Sequence, residues 1–292
     1  MDVNQFGKTS KLSITVQNRQ SADGHPRTIV SDCFFTAPFK VMKPFPRADG
    51  GLMIYQQTAS AGVMAGDRQE FNFLVEDSAC LEIVSQSFDK IFKMDDGKAA
   101  RTIHAEVAHN GILIYAPLPC IPFGGSNFSS YTKIRLADSS AKLLYEDCIC
   151  CGRKGHGELF AYKEYHNSIE IERQGKLIYR ENTLFTGSDC GSFPENELFM
   201  KNNVMYGDYS HLGQLLIFGY GIPADDISFH LGLPDKFLYT PDTMPAEEPS
   251  HPLLAGVTTT ESNDIIVRVL ADSAEEIQNF FTPVKKHLAE LH

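Results

Sequence analysis

The chain has 292 residues, 42% of them hydrophobic, enough for a sizeable core in one large domain or two smaller ones. Its formal net charge of −11, without a long Lys/Arg cluster, argues against nucleic acid and anionic membrane as partners. No apolar run reaches the roughly eighteen residues of a membrane span, and no basic-then-apolar signal opens the chain, so a cytoplasmic location is expected.

Short strands separated by Gly, Asn, Asp, Ser and Pro turns are expected over most of the first 220 residues. Residues 11–16 alternate apolar and polar with period two. Residues 52–58 and 69–75 read as two strands around a tight turn at 59–68, Ala-Ser-Ala-Gly-Val-Met-Ala-Gly-Asp-Arg. Glycine reaches backbone conformations closed to other residues, so Gly62 and Gly66 fit that turn. The turn leaves Asp67 close to the backbone, as a local hydrogen-bond acceptor or as a place to hold a cation. Farther along, Ser85, Gln86 and Ser87 interrupt an otherwise apolar strand near 83–92, which marks a turn, a buried hydrogen-bond network or a lined channel. Residues 102–107 and 169–173 alternate again, and 112–115 form an apolar run buried on both faces. Turn signals about every ten residues fit an all-β sandwich, barrel or helical stack of strands.

Residues 144–158 pack Glu146, Asp147, Cys148, Cys150, Cys151, His156 and Glu158 into one segment. Thiolate and imidazole suit zinc, nickel and copper. Strand alternation, however, places Cys148 and Cys150 on one face and Cys151 on the other. Seven cysteines, an odd number, speak against a disulfide framework, and Cys80 and Cys120 fit as small buried hydrophobes. The ten histidines show no mutual spacing of metal ligands, and His166 has the best acidic company.

Helix is expected near the end. A short one fits 223–231. The segment 240–251, with three prolines, reads as an exposed loop. Ser273 and Glu276 form a capping box ahead of Ile277, Phe280, Phe281, Val284, Leu288 and Leu291 at helical spacing. Pro283 should kink or split that helix. Nucleotide-binding loops, the Gly-x-Ser-x-Gly elbow and the His-Glu-x-x-His pair are all absent, which lowers the case for a kinase, dehydrogenase or hydrolase. The absence of Trp speaks against a carbohydrate-active β-helical enzyme.

An ordered set of segments resembles the UreD family, called UreH in some bacteria, of accessory proteins for urease maturation. The set comprises 32–40, 60–67, 85–91, 116–123, 152–160, 179–181 and 267–273 with the helix that follows. Ala61 and Ala65 stand where the family usually has proline and glycine, small swaps that keep the turn. The run of Cys148, Cys150 and Cys151 lies outside the family pattern.

The resemblance implies a non-enzymatic protein that joins UreF and the GTPase UreG, docks on apo-urease and forms a dimeric assembly through UreF. It implies a mainly β fold, a β-helix-like stack of many short strands in one domain over 1–292. That domain would be β-rich over 1–220 and helix-containing over 221–292, where UreF is expected to dock. No tightly bound cofactor is implied, only nickel in transit along a channel. Such a path needs weak, exchangeable ligands. On that argument Asp67, Glu146, Asp147, Glu158 and Glu181 are candidate stepping points, with Ser85 and Gln86 as polar lining. The alternative is a stand-alone β-fold metal-binding module that uses the cluster from Cys148 to His156.

Overall fold

The computed structural model describes residues 9–20, 24–186, 200–201, 205–233 and 253–291. Its first strands are β1 (Thr9–Gln20), β2 (Pro26–Phe35), β3 (Phe39–Val41), β4 (Phe45–Pro46), β5 (Leu52–Thr58) and β6 (Arg68–Val75). Then come β7 (Cys80–Ser85), β8 (Asp89–Ile91), β9 (Ala99–Val107), β10 (Ile112–Ala116), β11 (Cys120–Pro122) and β12 (Asn127–Leu136). The series ends with β13 (Lys142–Cys150), β14 (Glu164–Arg173), β15 (Lys176–Thr186), β16 (His211–Phe218), β17 (Leu253–Thr259) and β18 (Ile265–Ala271). Among the described residues, the α-helices α1 (Ala224–His230) and α2 (Ala274–Glu290) accompany them.

The strands form two large mixed sheets. The first has the order β15-β14-β12-β9-β6-β1-β2 and the second β17-β18-β16-β13-β10-β7-β5-β3. Between β5 and β14 the chain passes back and forth between them, and each pass lays a strand parallel to an earlier one. Cys80 pairs with Ile112 and Ile112 with Lys142 in the second sheet. Arg68 pairs with Ala100 and Ser129 with both Ala100 and His166 in the first. Antiparallel pairs close the edges, at β1–β2, β14–β15 and β17–β18.

Period-two patterning explains this arrangement. In β6, Phe71, Phe73 and Val75 are buried while Asn72 and Leu74 are exposed. Residues such as Leu12, Ile14, Phe73, Leu143, Leu216 and Phe218 fill the space between the sheets. The outer face of the second sheet is also apolar, and the helices cover it. Leu144, Leu215, Ile217 and Val267 pack there against Ile227 of α1 and Ile277, Phe281, Val284 and Leu288 of α2. Each such side chain, fully buried, contributes about 1.5–3 kcal/mol. Gly213 of β16 permits the close approach of α2, since a Cβ there would lie 2.4 Å from Ile277 Cγ2.

The expected mainly β architecture with helix towards the C-terminus is present, with three qualifications. The region after 220 contributes β17 and β18 to the second sheet as well as the helices. The loop expected at 240–251 lies outside the described residues. And α2 runs unbroken through Pro283, where a kink or split was expected. Its capping box is formed: Ser273 Oγ accepts from the Glu276 N–H at 3.2 Å, and Glu276 Oε2 from the Ser273 N–H at 3.1 Å. Thr282 Oγ1 donates to the Gln278 carbonyl at 2.8 Å. Apolar anchors on both sides of the proline, Ile277 and Phe281 before it and Val284 and Leu288 after it, hold the helix to the sheet. Tertiary packing here overrides the local helix-breaking tendency.

Candidate functional site

Inward-facing positions change character along the strands. Towards one end of the sandwich they are apolar. Towards the other they are polar on nearly every strand, and the polar positions fall in register. In the first sheet Gln69 pairs with Arg101, Arg101 with Ser130, Ser130 with Asn167 and Asn167 with Thr183. In the second, Gln56 pairs with Ser85, and farther across the sheet Asp147 pairs with Gln214 and Gln214 with Arg268. At about 4.8 Å per strand, the ladder in the first sheet spans roughly 19 Å.

One end of the ladder opens into a cavity of about 190 Å³ lined by Gln56, Thr58, Ser60, Ser85, Asp89 and Arg101, among others. Ser85 Oγ accepts from the Leu118 N–H at 2.7 Å and donates to the Ser87 carbonyl at 3.2 Å. The turn at 59–68 borders this mouth through Ser60 and Gly62. Gly66 holds φ at 83°, the left-handed region that glycine favours. Asp67 Oδ2 accepts from the Met64 N–H at 2.8 Å, which closes the turn. Gln86 is exposed, and its N–H donates to the Gln56 carbonyl at 3.1 Å.

Behind the mouth lies a smaller cavity of about 40 Å³ that shares Asp89, Arg101 and Tyr115 with it and extends to Tyr145, Asp147 and Asn167. Arg101 forms the wall between the two. Its guanidinium lies near the rings of Phe71 and Phe128, donates to Gln69 Oε1 at 2.9 Å through Nε, and is ion-paired with Asp89. Burial disfavours its charge, yet Asp89 and Tyr115 hold it protonated more firmly than usual.

Asp147 occupies the centre. Its Oδ2 accepts from Asn167 Nδ2 at 2.7 Å and from Gln214 Nε2 at 3.4 Å. Burial first, and the Glu181 carboxylate second, push its pKa up to about 6. Among the described residues, Gln214 Oε1 is buried without a hydrogen-bond partner. Beyond Asp147 the ladder ends at Thr183 and Arg268, which line an open groove of about 720 Å³ together with Glu181 and Asn182. Glu181 accepts from Arg268 at 3.1 Å, from Thr183 Oγ1 at 3.0 Å and from the Tyr179 hydroxyl.

The structure thus places Ser85 on the mouth, Asp147 on the inner cavity and Glu181 on the open groove. Two other expected carboxylates line none of the three. Glu146 follows the opposite phase of β13, faces the helix layer and is paired with Lys285 of α2 at 2.7 Å. Glu158 is bound by Arg153, whose Nε donates to it at 2.8 Å, and also accepts from the Gly124 N–H at 3.0 Å. The Arg153 hydrogen bond holds its pKa below the usual range.

The cysteine cluster is not assembled as a metal set. Cys148 packs beneath the helices and Cys151 in a separate apolar cluster with Phe160 and Tyr206, while His156 is exposed. Burial pushes the Cys148 thiol well up, Cys150 to about 12 and Cys151 to about 11, which disfavours the thiolates that a metal needs. Among the described residues, no group of three donors with ligand atoms close together includes these side chains. His166 instead pairs with Asn182 Oδ1 at 2.7 Å.

Asp89, Arg101, Asn167, Gln214 and Arg268 were not singled out from sequence. The available signal was phase: Arg101 shares the inward period of Ile103, Ala105 and Val107 on β9.

No helix among the described residues is long and apolar enough to cross a membrane. The family model described as UreD urease accessory protein matches residues 8–292. A urease accessory protein UreH of Helicobacter pylori (strain P12) is 36% identical over 215 residues, 74% of this chain and 76% of that protein. A urease accessory protein UreD of Acetivibrio thermocellus is 39% identical over 180 residues, 61% of this chain and 66% of its own length. UreH of Helicobacter hepaticus is 28% identical over 280 residues, 96% of this chain and 97% of that protein. With a match that spans nearly its whole length, the chain belongs to the UreD/UreH family of urease accessory proteins.

Proposed function

We propose that this chain is a urease maturation scaffold that joins UreF and the GTPase UreG and passes nickel towards apo-urease along the polar ladder between its sheets. Members of the family are non-catalytic accessory proteins. We read the alternation between the two sheets as a β-helix-like coil, within which the ladder is a passage.

The in-register ladder is the observation that carries this reading. A buried polar group is unfavourable unless it is paired, so a row of them across a sandwich calls for a reason. A divalent cation in transit supplies one, because it needs oxygen ligands that hold weakly and exchange. Asp147, the carbonyl oxygen of Gln214 and Glu181 offer such ligands in sequence. With its pKa near 6, Asp147 can exchange a proton for a metal ion close to neutrality. Asp89 offsets the Arg101 charge, which would otherwise repel a cation at the inner wall.

On this reading Ser85, Asp147 and Glu181 belong to the path. Asp67 shapes its mouth, and Glu146 and Glu158 serve local pairs. Exposed apolar side chains on the helical side, Phe229 at 76% and Leu291 at 42%, offer a surface for UreF. A dimeric assembly would then form through UreF.

Reconstitution tests the proposal. Apo-urease, UreF, UreG, GTP, bicarbonate and nickel are combined with and without this protein. Nickel-dependent activity should rise several-fold in its presence. Equal activation in both mixtures would remove the proposal.

A further inference from the structure

Away from the ladder, Asp226, His230 and His287 meet where α1 crosses α2. Asp226 and His230 lie four residues apart on α1 and therefore on one face. His287 comes from the last turn of α2. Its Nε2 lies 2.7 Å from Asp226 Oδ2, and His230 Nε2 lies 3.9 Å from Asp226 Oδ1. The imidazoles stack with ring centroids 3.8 Å apart and planes 22° apart. One donor atom from each residue lies within 4.8 Å of the other two.

We propose that these three side chains form a binding site for a borderline divalent cation, zinc or nickel, that clasps α1 to α2. Two imidazoles and a carboxylate make a donor set suited to such ions. A hydrogen bond between His287 and Asp226 needs only one ring. It leaves unexplained why the second ring presents the same nitrogen to the same carboxylate from beyond hydrogen-bond range. A cation explains both. Tetrahedral coordination with bonds of about 2.1 Å places ligand atoms about 3.4 Å apart. The donor atoms lie within 4.8 Å of one another, so each pair needs to shift by no more than about 1.4 Å to reach that spacing. The side chains are 18–35% exposed, so an ion can enter from solvent, and a water molecule or a partner's side chain can complete the coordination.

The clasp has a structural use. At seven residues α1 is too short to hold itself helical, and Ile227 is its one buried anchor. A shared ion would tie it to the longer α2 and stiffen the exposed helical surface around Phe229.

The test uses the untagged full-length chain in equilibrium dialysis against Zn²⁺ and Ni²⁺ separately, with melting temperature measured beside it. Wild type is compared with His230→Ala, His287→Ala and His287→Cys, all checked for native circular dichroism without metal. One equivalent should weaken at least tenfold in both alanine variants and return in His287→Cys, which restores a donor. The metal-induced rise in melting temperature should shrink with it. Asp147→Asn should keep this equivalent, which separates the clasp from the interior path. Wild-type stoichiometry and affinity for both metals in both alanine variants would overturn the proposal.

Discussion

The two ends of the sandwich are built from the same strands, and they differ in what faces inward. At one end Leu12, Ile14, Val107, Leu136, Leu143 and Phe218 form a dry core. At the other, Gln69, Arg101, Asn167, Ser85, Asp147 and Gln214 occupy the same alternating phase. Both sets point between the sheets, so burial alone does not separate them. The first stabilises the fold by removing apolar surface from water. The second works against it, since each buried polar group must find a partner. The sandwich therefore tolerates its polar end on the stability of its apolar end.

This contrast can be broken by substitution. The largest effect is expected at the dry end, where Phe218 is fully buried against Tyr179 and the inter-sheet core. Phe218→Ala should lose about 3–5 kcal/mol in denaturant unfolding. Arg101→Met, at the wet end, should cost less, about 1–3 kcal/mol, because the half-buried Asp89 loses its ion-pair partner. The diagnostic is the double variant. Arg101→Met with Asp89→Asn removes both charges and should recover part of that loss, which two independent sites would not do.

Asp147→Asn should have the opposite sign. The folded state binds the Asp147 proton more tightly than the unfolded state does, so wild-type stability falls as pH rises from about 4 through about 6. The amide removes that dependence. It should stabilise the protein above pH 6 by up to about 2–3 kcal/mol and have little effect near pH 4. Unfolding curves at the two pH values check this, and equal effects at both would contradict it. The smallest change is expected for Asp67→Ala, about 1 kcal/mol through loss of the acceptor for the Met64 N–H. Urease activation should fall less with this variant than with Asp147→Asn.

Strands were legible from sequence where apolar and polar residues alternate, as in β6, and the strand expected at 52–58 coincides with β5. The capping box of α2 was legible because it is local. The ladder was not, because parallel partners are far apart in the chain: Gln69, Arg101, Ser130 and Asn167 become neighbours only through the passes between sheets. Asp147 and Glu181 could be named, but the opposite roles of Glu146 and Asp147 rest on which face of β13 meets the helices. Sequence proximity was most misleading at the cysteines, which alternation sends into different clusters. The i, i+4 pair of Asp226 and His230 was readable on α1, whereas His287 arrives only through helix packing.

The central claim is that the polar end serves transport rather than folding. Its most direct test is urease activation by the accessory complex that carries Asp147→Asn together with Glu181→Gln, with complex stoichiometry measured in the same samples. The account predicts an intact complex and nickel-dependent activation reduced at least several-fold. Wild-type activation by an intact variant complex would contradict it.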